Sequence, residues 1–296
     1  MITFYKRKVG DKKIRKLNSF KVGCWINVID PSEKELKELC KKYNLDERNV
    51  FSGLDQNEIP RLDFIEDNIY VLTKTVLPPL KLQTFLIVIS KTFVLTLSKH
   101  SHEPLEEVLS NKNEIYTTQK LKFLIKFLSK ITDYFETETR KTVKEIQSKK
   151  RDISNRTLES LLEQEEFLNK LVSSYTYLNL LYNRMIKKIS FYKQDKEILE
   201  DLIEEINEGT NLSKSSLKTI SNIRDHYVVL LSNKLNKLIN VLTIFTILIS
   251  LPAAVSGIYG MNVSLPLQQD PNVFWYILGF IGVIWGLFLI YLRKLR

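Results

Sequence analysis

Residues 238–258 read Leu-Ile-Asn-Val-Leu-Thr-Ile-Phe-Thr-Ile-Leu-Ile-Ser-Leu-Pro-Ala-Ala-Val-Ser-Gly-Ile, 21 positions without a charge. As a helix this run measures ~31 Å at ~1.5 Å per residue, the thickness of a bilayer's hydrocarbon core. A second uncharged run of 20 residues occupies 273–292, and Asp270 is the one charged residue between the two. The expectation is a membrane hairpin over 238–296: a first span 238–258, an outer loop 259–272 and a second span 273–292. Lys234 and Lys237 precede the first span; Arg293, Lys294 and Arg296 follow the second; the loop has neither Lys nor Arg. Cations on both outer flanks place both termini on the cytoplasmic side. Tyr259, Phe274, Trp275, Tyr276 and Tyr291 fall near the interfaces, where amphipathic rings anchor.

Outward from the hairpin the character changes. Charges recur throughout the first 237 positions, and no run there could span a bilayer. No proline stands between Pro104 and Pro252, and Gly209 is the single glycine of that interval. Leucines, isoleucines and aromatics recur every three or four residues, so 101–237 is expected to form long cytoplasmic helices, one of about 40 residues continuing into the membrane. Leu217, Ile220, Ile223, Tyr227, Leu231, Leu235, Leu238 and Leu242 carry a packing stripe across that border. Residues 1–100 instead alternate short apolar runs with turn signals. Cys24–Ile29 and Ile69–Val76 read as strands, and Phe85–Ile89 with Phe93–Leu97 as a hairpin through Ser90-Lys91-Thr92. Asp30-Pro31-Ser32-Glu33 reads as an N-cap, a first-turn proline and a capping glutamate for a helix ending near Tyr43. The fold class is α+β, with long stalk helices and two C-terminal membrane helices.

The formal net charge of +10 would suit an anionic partner, but the basic residues are interleaved with acidic ones and no zinc-ligand or RNA-binding signature accompanies them. Nucleic acid is not an expected partner; the lipid bilayer is. Two cysteines, Cys24 and Cys40, are too few for a disulfide framework and read as packing residues. The N-terminal Met1-Ile2-Thr3-Phe4-Tyr5-Lys6-Arg7-Lys8 has no apolar core and no cleavage site, so no secretory signal is expected. There is no phosphate-binding glycine loop, and His100, His102 and His226 make no metal or nucleophile spacing, so no enzyme is expected. His100 and His102 read as exposed loop residues.

The first span is more than an anchor. At ~100° per residue, Asp225, Ser232, Asn236, Asn240, Thr243, Thr246, Ser250, Ala254 and Gly257 fall on one broad face. Polar groups at membrane depth turn toward protein or a water-filled cavity, although Ser and Thr can also satisfy themselves on their own helix backbone. Pro252 cannot donate to the carbonyl of Leu248, which leaves an acceptor free at membrane depth. The expected pore-lining set is Asn236, Ile239, Leu242, Thr243, Thr246, Ser250, Ala253 and Gly257. Two spans enclose no pore, so conduction would take several copies of the chain. Gly279, Gly282 and Gly286 of the second span would permit close helix packing.

The first span ends in Gly257-Ile258-Tyr259-Gly260-Met261-Asn262. Placed after one span and before a short loop and a last span, the Tyr-Gly-Met-Asn run resembles the signature of the CorA family of divalent-cation transporters. Trp25 with Asp30-Pro31, Pro60-Arg61 ahead of a strand containing Tyr70, and the segment from Asn236 to Asn262 extend the likeness over the chain. The resemblance implies a funnel-shaped homopentamer with a cytoplasmic αβα domain in the inner or plasma membrane. It assigns Gly260, Met261 and Asn262 to the outer mouth, where Asn262 meets the metal, and Asn236 to an inner ring. Mg²⁺ would be both cargo and regulator, with Co²⁺, Ni²⁺ or Zn²⁺ as other cargoes. Asp225 matches a regulatory stalk aspartate and Asp201 a second acidic position. The partner acid that usually follows the Tyr70 strand is missing: Lys74–Thr92 contains none. The acidic run Glu197, Glu200, Asp201, Glu204, Glu205 and Glu208 reads as a solvated helix face that could gather cations. A tethered scaffold that conducts nothing is the competing expectation.

Overall fold

The computed structural model describes residues 1–110, 115–149, 155–267 and 269–294. Position 268 of the loop 259–272 and Arg296 after the second span lie outside them. Two compact units divide the chain, Met1–Arg224 and Asp225–Arg296.

The first unit is built on a seven-stranded sheet of order β2-β1-β3-β7-β6-β5-β4. The strands are β1 (Ile2–Lys6), β2 (Arg15–Leu17), β3 (Cys24–Ile29), β4 (Arg61–Ile65), β5 (Asn68–Leu77), β6 (Lys81–Ile89) and β7 (Phe93–Ser98). β3 and β7 pair in parallel at the centre, Trp25 opposite Val94, and the other pairs are antiparallel. The β6–β7 hairpin closes through Ser90-Lys91-Thr92 as expected, with Ile89 opposite Val94.

Both faces of the sheet are covered, and the alternation of side chains along each strand sorts the core into two layers. Cys24, Ile26 and Val28 of β3, Leu86 and Val88 of β6, and Phe93, Leu95 and Leu97 of β7 face α1 (Glu33–Tyr43) and α2 (Glu47–Ser52). Trp25, Phe85, Ile87 and Val94 face the opposite layer of α3 (Glu103–Leu109), α4 (Lys120–Ser148), α5 (Asn155–Lys188) and the start of α6 (Lys193–Tyr259). Each apolar face thus finds a partner, which is the αβα arrangement anticipated. A polar centre at the β3–β7 pair is hydrogen-bonded: Trp25 Nε1 donates to Thr96 Oγ1 at 2.8 Å, and Thr96 donates to Asn27 Oδ1 at 2.9 Å. Cys24 and Cys40 are buried and free, in the packing role assigned to them.

Two local readings are corrected. The cap of α1 is Ser32, which accepts from the Glu35 N–H while Glu35 reaches back to the Ser32 N–H at 2.8 Å. Asp30 and Pro31 lie outside the helix because Asp30 adopts φ 45°, a left-handed turn residue that terminates β3 and cannot begin a helix. His102 is not exposed: it caps α3 with only 3% of its surface accessible, its ring edge-on to Phe85 at 4.6 Å.

The second unit holds the distal part of α6 and α7 (Val273–Lys294). α6 is 67 residues of uninterrupted helix and runs through Pro252 without a break. Among the described residues it is the one helix long and apolar enough to cross a membrane, and that stretch is unburied. α7 contributes the shorter apolar stretch Val273–Phe288.

Candidate functional site

The residues singled out for ion passage lie on α6 and in the turn that follows it. Asn236, Ile239, Leu242, Thr243, Thr246, Ser250, Ala253 and Gly257 are all exposed. The half-buried residues of this stretch, Ile244, Leu248, Leu251, Pro252 and Val255, cluster on roughly the opposite side of the helix at ~100° per residue. α7 has a matching stripe of half-buried residues at Val273, Ile277, Ile281 and Ile284. The apolar faces shielded within one chain are therefore distinct from the polar face, which is left open. Sequence reasoning did not single out the Ile244 stripe; its spacing of four, three, one and three carried the signal.

The hydroxyls of the polar face close on their own helix. Thr243 donates to the Ile239 carbonyl at 2.9 Å, Thr246 to Leu242 at 3.0 Å and Ser250 to Ile247 at 3.2 Å. Each has spent its one hydrogen, so the oxygen presents only lone pairs outward. A row of such oxygens is an acceptor surface, able to receive hydrogen bonds from water around a cation.

The helix ends at Tyr259, where Gly260 N–H donates to the Ser256 carbonyl at 2.9 Å and Met261 N–H to Ile258 at 3.2 Å. A Cβ at 260 would stand 3.1 Å from the Ser256 oxygen, a close contact that glycine avoids at the helix end. The non-glycine residues at positive φ among those described are Asp30, Asn44, Glu66, Leu80 and Leu267. Asn262 is thus not a left-handed cap, and its exposed amide is not consumed in ending the helix. Beyond it Asp270 Oδ1 accepts the Asn272 N–H at 2.9 Å, the Asp270 carbonyl accepts the Val273 N–H, and the Asn272 carbonyl accepts those of Trp275 and Tyr276. Gly279, Gly282 and Gly286 do not serve close packing within the chain, since a Cβ on any of them meets open space.

Asp201 is exposed on the proximal part of α6, and Asp225 is exposed at the start of the second unit. The acidic run is only partly solvated. Glu197 and Glu200 pair with Lys193 and Lys196, whereas Glu205 is half-buried and its Oε2 has no partner among the described residues. Burial, then the negative charges of Asp133, Glu136, Asp201 and Glu208, raises its pKa. Among the described residues no three His, Cys, Asp or Glu side chains converge on a common point.

The profile of the family described as CorA-like Mg²⁺ transporter protein matches residues 20–294. The chain belongs to this family. It is 27% identical over 286 residues to the cobalt/magnesium transport protein CorA of Methanocaldococcus jannaschii, covering 91% of this chain and 90% of that one. The complete structure of the CorA magnesium transporter from the same organism superposes with a TM-score of 0.81 at 24% identity, over 99% of this chain and 98% of that one. Full-length CmaX gives 0.73 at 16% identity, over 100% and 97%. The last two likenesses establish the fold. The transporter family, the αβα unit and the long apolar α6 agree with the expected membrane transport protein in outline, with one of its two expected spans.

Proposed function

We propose that the chain is one subunit of a homo-oligomeric channel for divalent cations, Mg²⁺ first, whose path is lined by the open polar face of α6. The observation that carries this reading is the separation of faces: the half-buried stripe lies on one side of the helix, and the acceptor oxygens of Thr243, Thr246 and Ser250 lie on another. α7 is the second span, the hairpin domain is 238–296, and both termini are cytoplasmic in the inner or plasma membrane. Five chains would enclose the path, with the 1–100 part and the 101–237 stalk on the cytoplasmic side.

At the outer mouth a ring of Asn262 amide oxygens accepts hydrogen bonds from the ion's own waters. Mg²⁺ holds its octahedral shell tightly, so an entrance that engages the hydrated ion avoids the cost of stripping it. Amides attract a dication less than carboxylates would, and conduction needs release as much as capture. Gly260 keeps the backbone next to the mouth free of a side chain, and Asn236 repeats the amide ring at the inner end.

Cytosolic Mg²⁺ held between subunits would favour a closed arrangement, because an ion that binds one state alone populates it as its concentration rises. Asp225 and Asp201 are the candidate ligands on this chain. Since no cluster forms among the described residues of one chain, such an ion would take carboxylates from more than one subunit.

The test is cation uptake into sealed liposomes by the purified chain, with Mg²⁺, Co²⁺, Ni²⁺ and Zn²⁺ compared side by side. Asn262→Ala should lower Mg²⁺ flux by at least about tenfold, ~1.4 kcal/mol at the entrance. Flux that is unchanged in Asn262→Ala, or indistinguishable from empty liposomes in the parent, would sink the channel and leave a tethered scaffold. Preference for another of the four metals would keep the pore and replace its cargo.

A further inference from the structure

The stretch without acid, Lys74-Thr75-Val76-Leu77-Pro78-Pro79-Leu80-Lys81, ends β5 and turns into β6. It forms one wall of a cavity of about 1010 Å³ in the first unit, with 56–60 and part of α5 as the other walls. Lys74 lines this cavity with only 7% of its surface exposed. Its Nζ donates to the Gln56 carbonyl at 2.5 Å and to Thr84 Oγ1 at 3.0 Å. Both acceptors are neutral, and an ammonium has a third hydrogen to give. Burial lowers the pKa of Lys74 more than the nearby Asp55 and Glu58 raise it.

A buried cation is normally matched by an anion. Lys130, half-buried on α4, has Asp133 and Glu107 at 3.3 and 3.4 Å. The carboxylates around the cavity are already engaged, Glu58 by Arg61 and Glu166 by Lys170. Lys74 and Lys81 make no ion pair among the described residues, and both line the cavity. The walls also leave apolar surface uncovered: Tyr177 is 37% exposed and Ile59 is 47% exposed. The volume is that of a pocket for a drug-sized ligand and far exceeds an inorganic anion.

We propose that this cavity binds a phosphate-bearing small molecule of nucleotide size, its phosphates on Lys74 and Lys81 and its flat apolar part against Tyr177. Asp55 and Glu58 act on Lys74 without pairing with it directly, so the ligand's phosphate gives its third hydrogen an anionic acceptor, and lysine is an established phosphate partner as a point charge. The site is independent of cation conduction and can be read without it.

The experiment is calorimetric titration of the full-length chain in detergent, with chelator present so that divalent cations are absent. ADP, inorganic pyrophosphate and adenosine are the probes. ADP should bind with a Kd below about 1 mM and lose affinity as salt is added. Lys81→Ala, an exposed position, should weaken ADP about tenfold, and Lys74→Met should weaken it at least as much. Tyr177→Ala should weaken ADP and leave pyrophosphate unchanged. The proposal is overturned if neither ADP nor pyrophosphate binds the parent chain, if adenosine binds as tightly as ADP, or if Lys81→Ala leaves ADP binding unaltered. Should Lys74→Met fail to fold by circular dichroism, the Lys81→Ala result decides alone.

Discussion

His102 shows how much a single side chain can hide from sequence. Both of its ring nitrogens are buried without a partner among the described residues, near Phe85 and Phe127. Burial pushes its pKa from 6.5 down to about 3. In the folded chain the ring stays neutral through a range in which the unfolded chain takes up a proton. The unfolded state then binds more protons between about pH 6.5 and 3, so stability falls as pH falls, by up to ~1.4 kcal/mol per unit. Melting followed by circular dichroism at pH 7, 6 and 5 should show this loss in the parent chain. His102→Leu, which removes the titrating group and loses no hydrogen bond, should melt with a shallower dependence on pH. Equal slopes in the two proteins would mean that the ring is not held neutral. Nothing near His102 in the sequence marks it as buried; the neighbouring His100 is exposed. The difference comes from Phe85 and Phe127, which are distant in the chain.

At the scale of elements, α5 and α6 meet where α6 has its one glycine before the membrane stretch. A Cβ on Gly209 would stand 2.6 Å from Tyr175 Cζ and 2.7 Å from its hydroxyl. Tyr175 cannot retreat, being 1% exposed with its hydroxyl 2.9 Å from Thr139 Oγ1. Gly209→Ala gains ~1 kcal/mol of helix propensity, but the overlap should cost 1–3 kcal/mol or more. The net expectation is a lower melting temperature, and Tyr175→Phe in the same background should recover part of it by removing the hydroxyl. A Gly209→Ala chain more stable than the parent would show that the helices can part without loss. The isolation of this glycine was visible in the sequence, and its reason was not. The same contrast runs through the other elements. β3, the β6–β7 hairpin and the end of α1 were legible because their signals are local: β-branched runs, a three-residue turn and a charge-rich helix face. β1, β2, β4 and α2 were not, being three to six residues long and too mixed in polarity to show a period. The parallel β3–β7 pair joins strands about 70 residues apart, which no local pattern encodes. The cavity at Lys74 was half legible: the absence of acid was noted, but its meeting with α5 is a product of tertiary folding.

Taken whole, the chain leaves a long, mostly apolar surface of α6 exposed. Leu217, Ile220 and Ile223 of the long stripe pack into the core of the first unit. The same stripe continues as Leu231, Leu235, Leu238 and Leu242, at 46, 53, 61 and 67% exposure. Lipid can cover the apolar members of that surface, but it offers no hydrogen bonds to the amides of Asn236 and Asn240. Both needs are met together if copies of the chain set these faces around a common axis and leave α7 outermost. The arrangement can be tested by proximity in the membrane. The native Cys24 and Cys40 are buried, and burial raises the pKa of Cys40 to about 11, which keeps it out of thiol chemistry near neutral pH. A single new cysteine at Thr246→Cys should therefore report on its own position. Treated with a short bis-maleimide in liposomes, Thr246→Cys chains should be trapped as dimers in high yield, because residues on an inward face are held close. Phe280→Cys, on the exposed surface of α7, should remain single. If Thr246→Cys stays monomeric while Phe280→Cys pairs, α7 is the inner helix and the polar face of α6 looks elsewhere. If neither pairs, and light scattering in detergent returns the mass of one chain, no enclosed path exists.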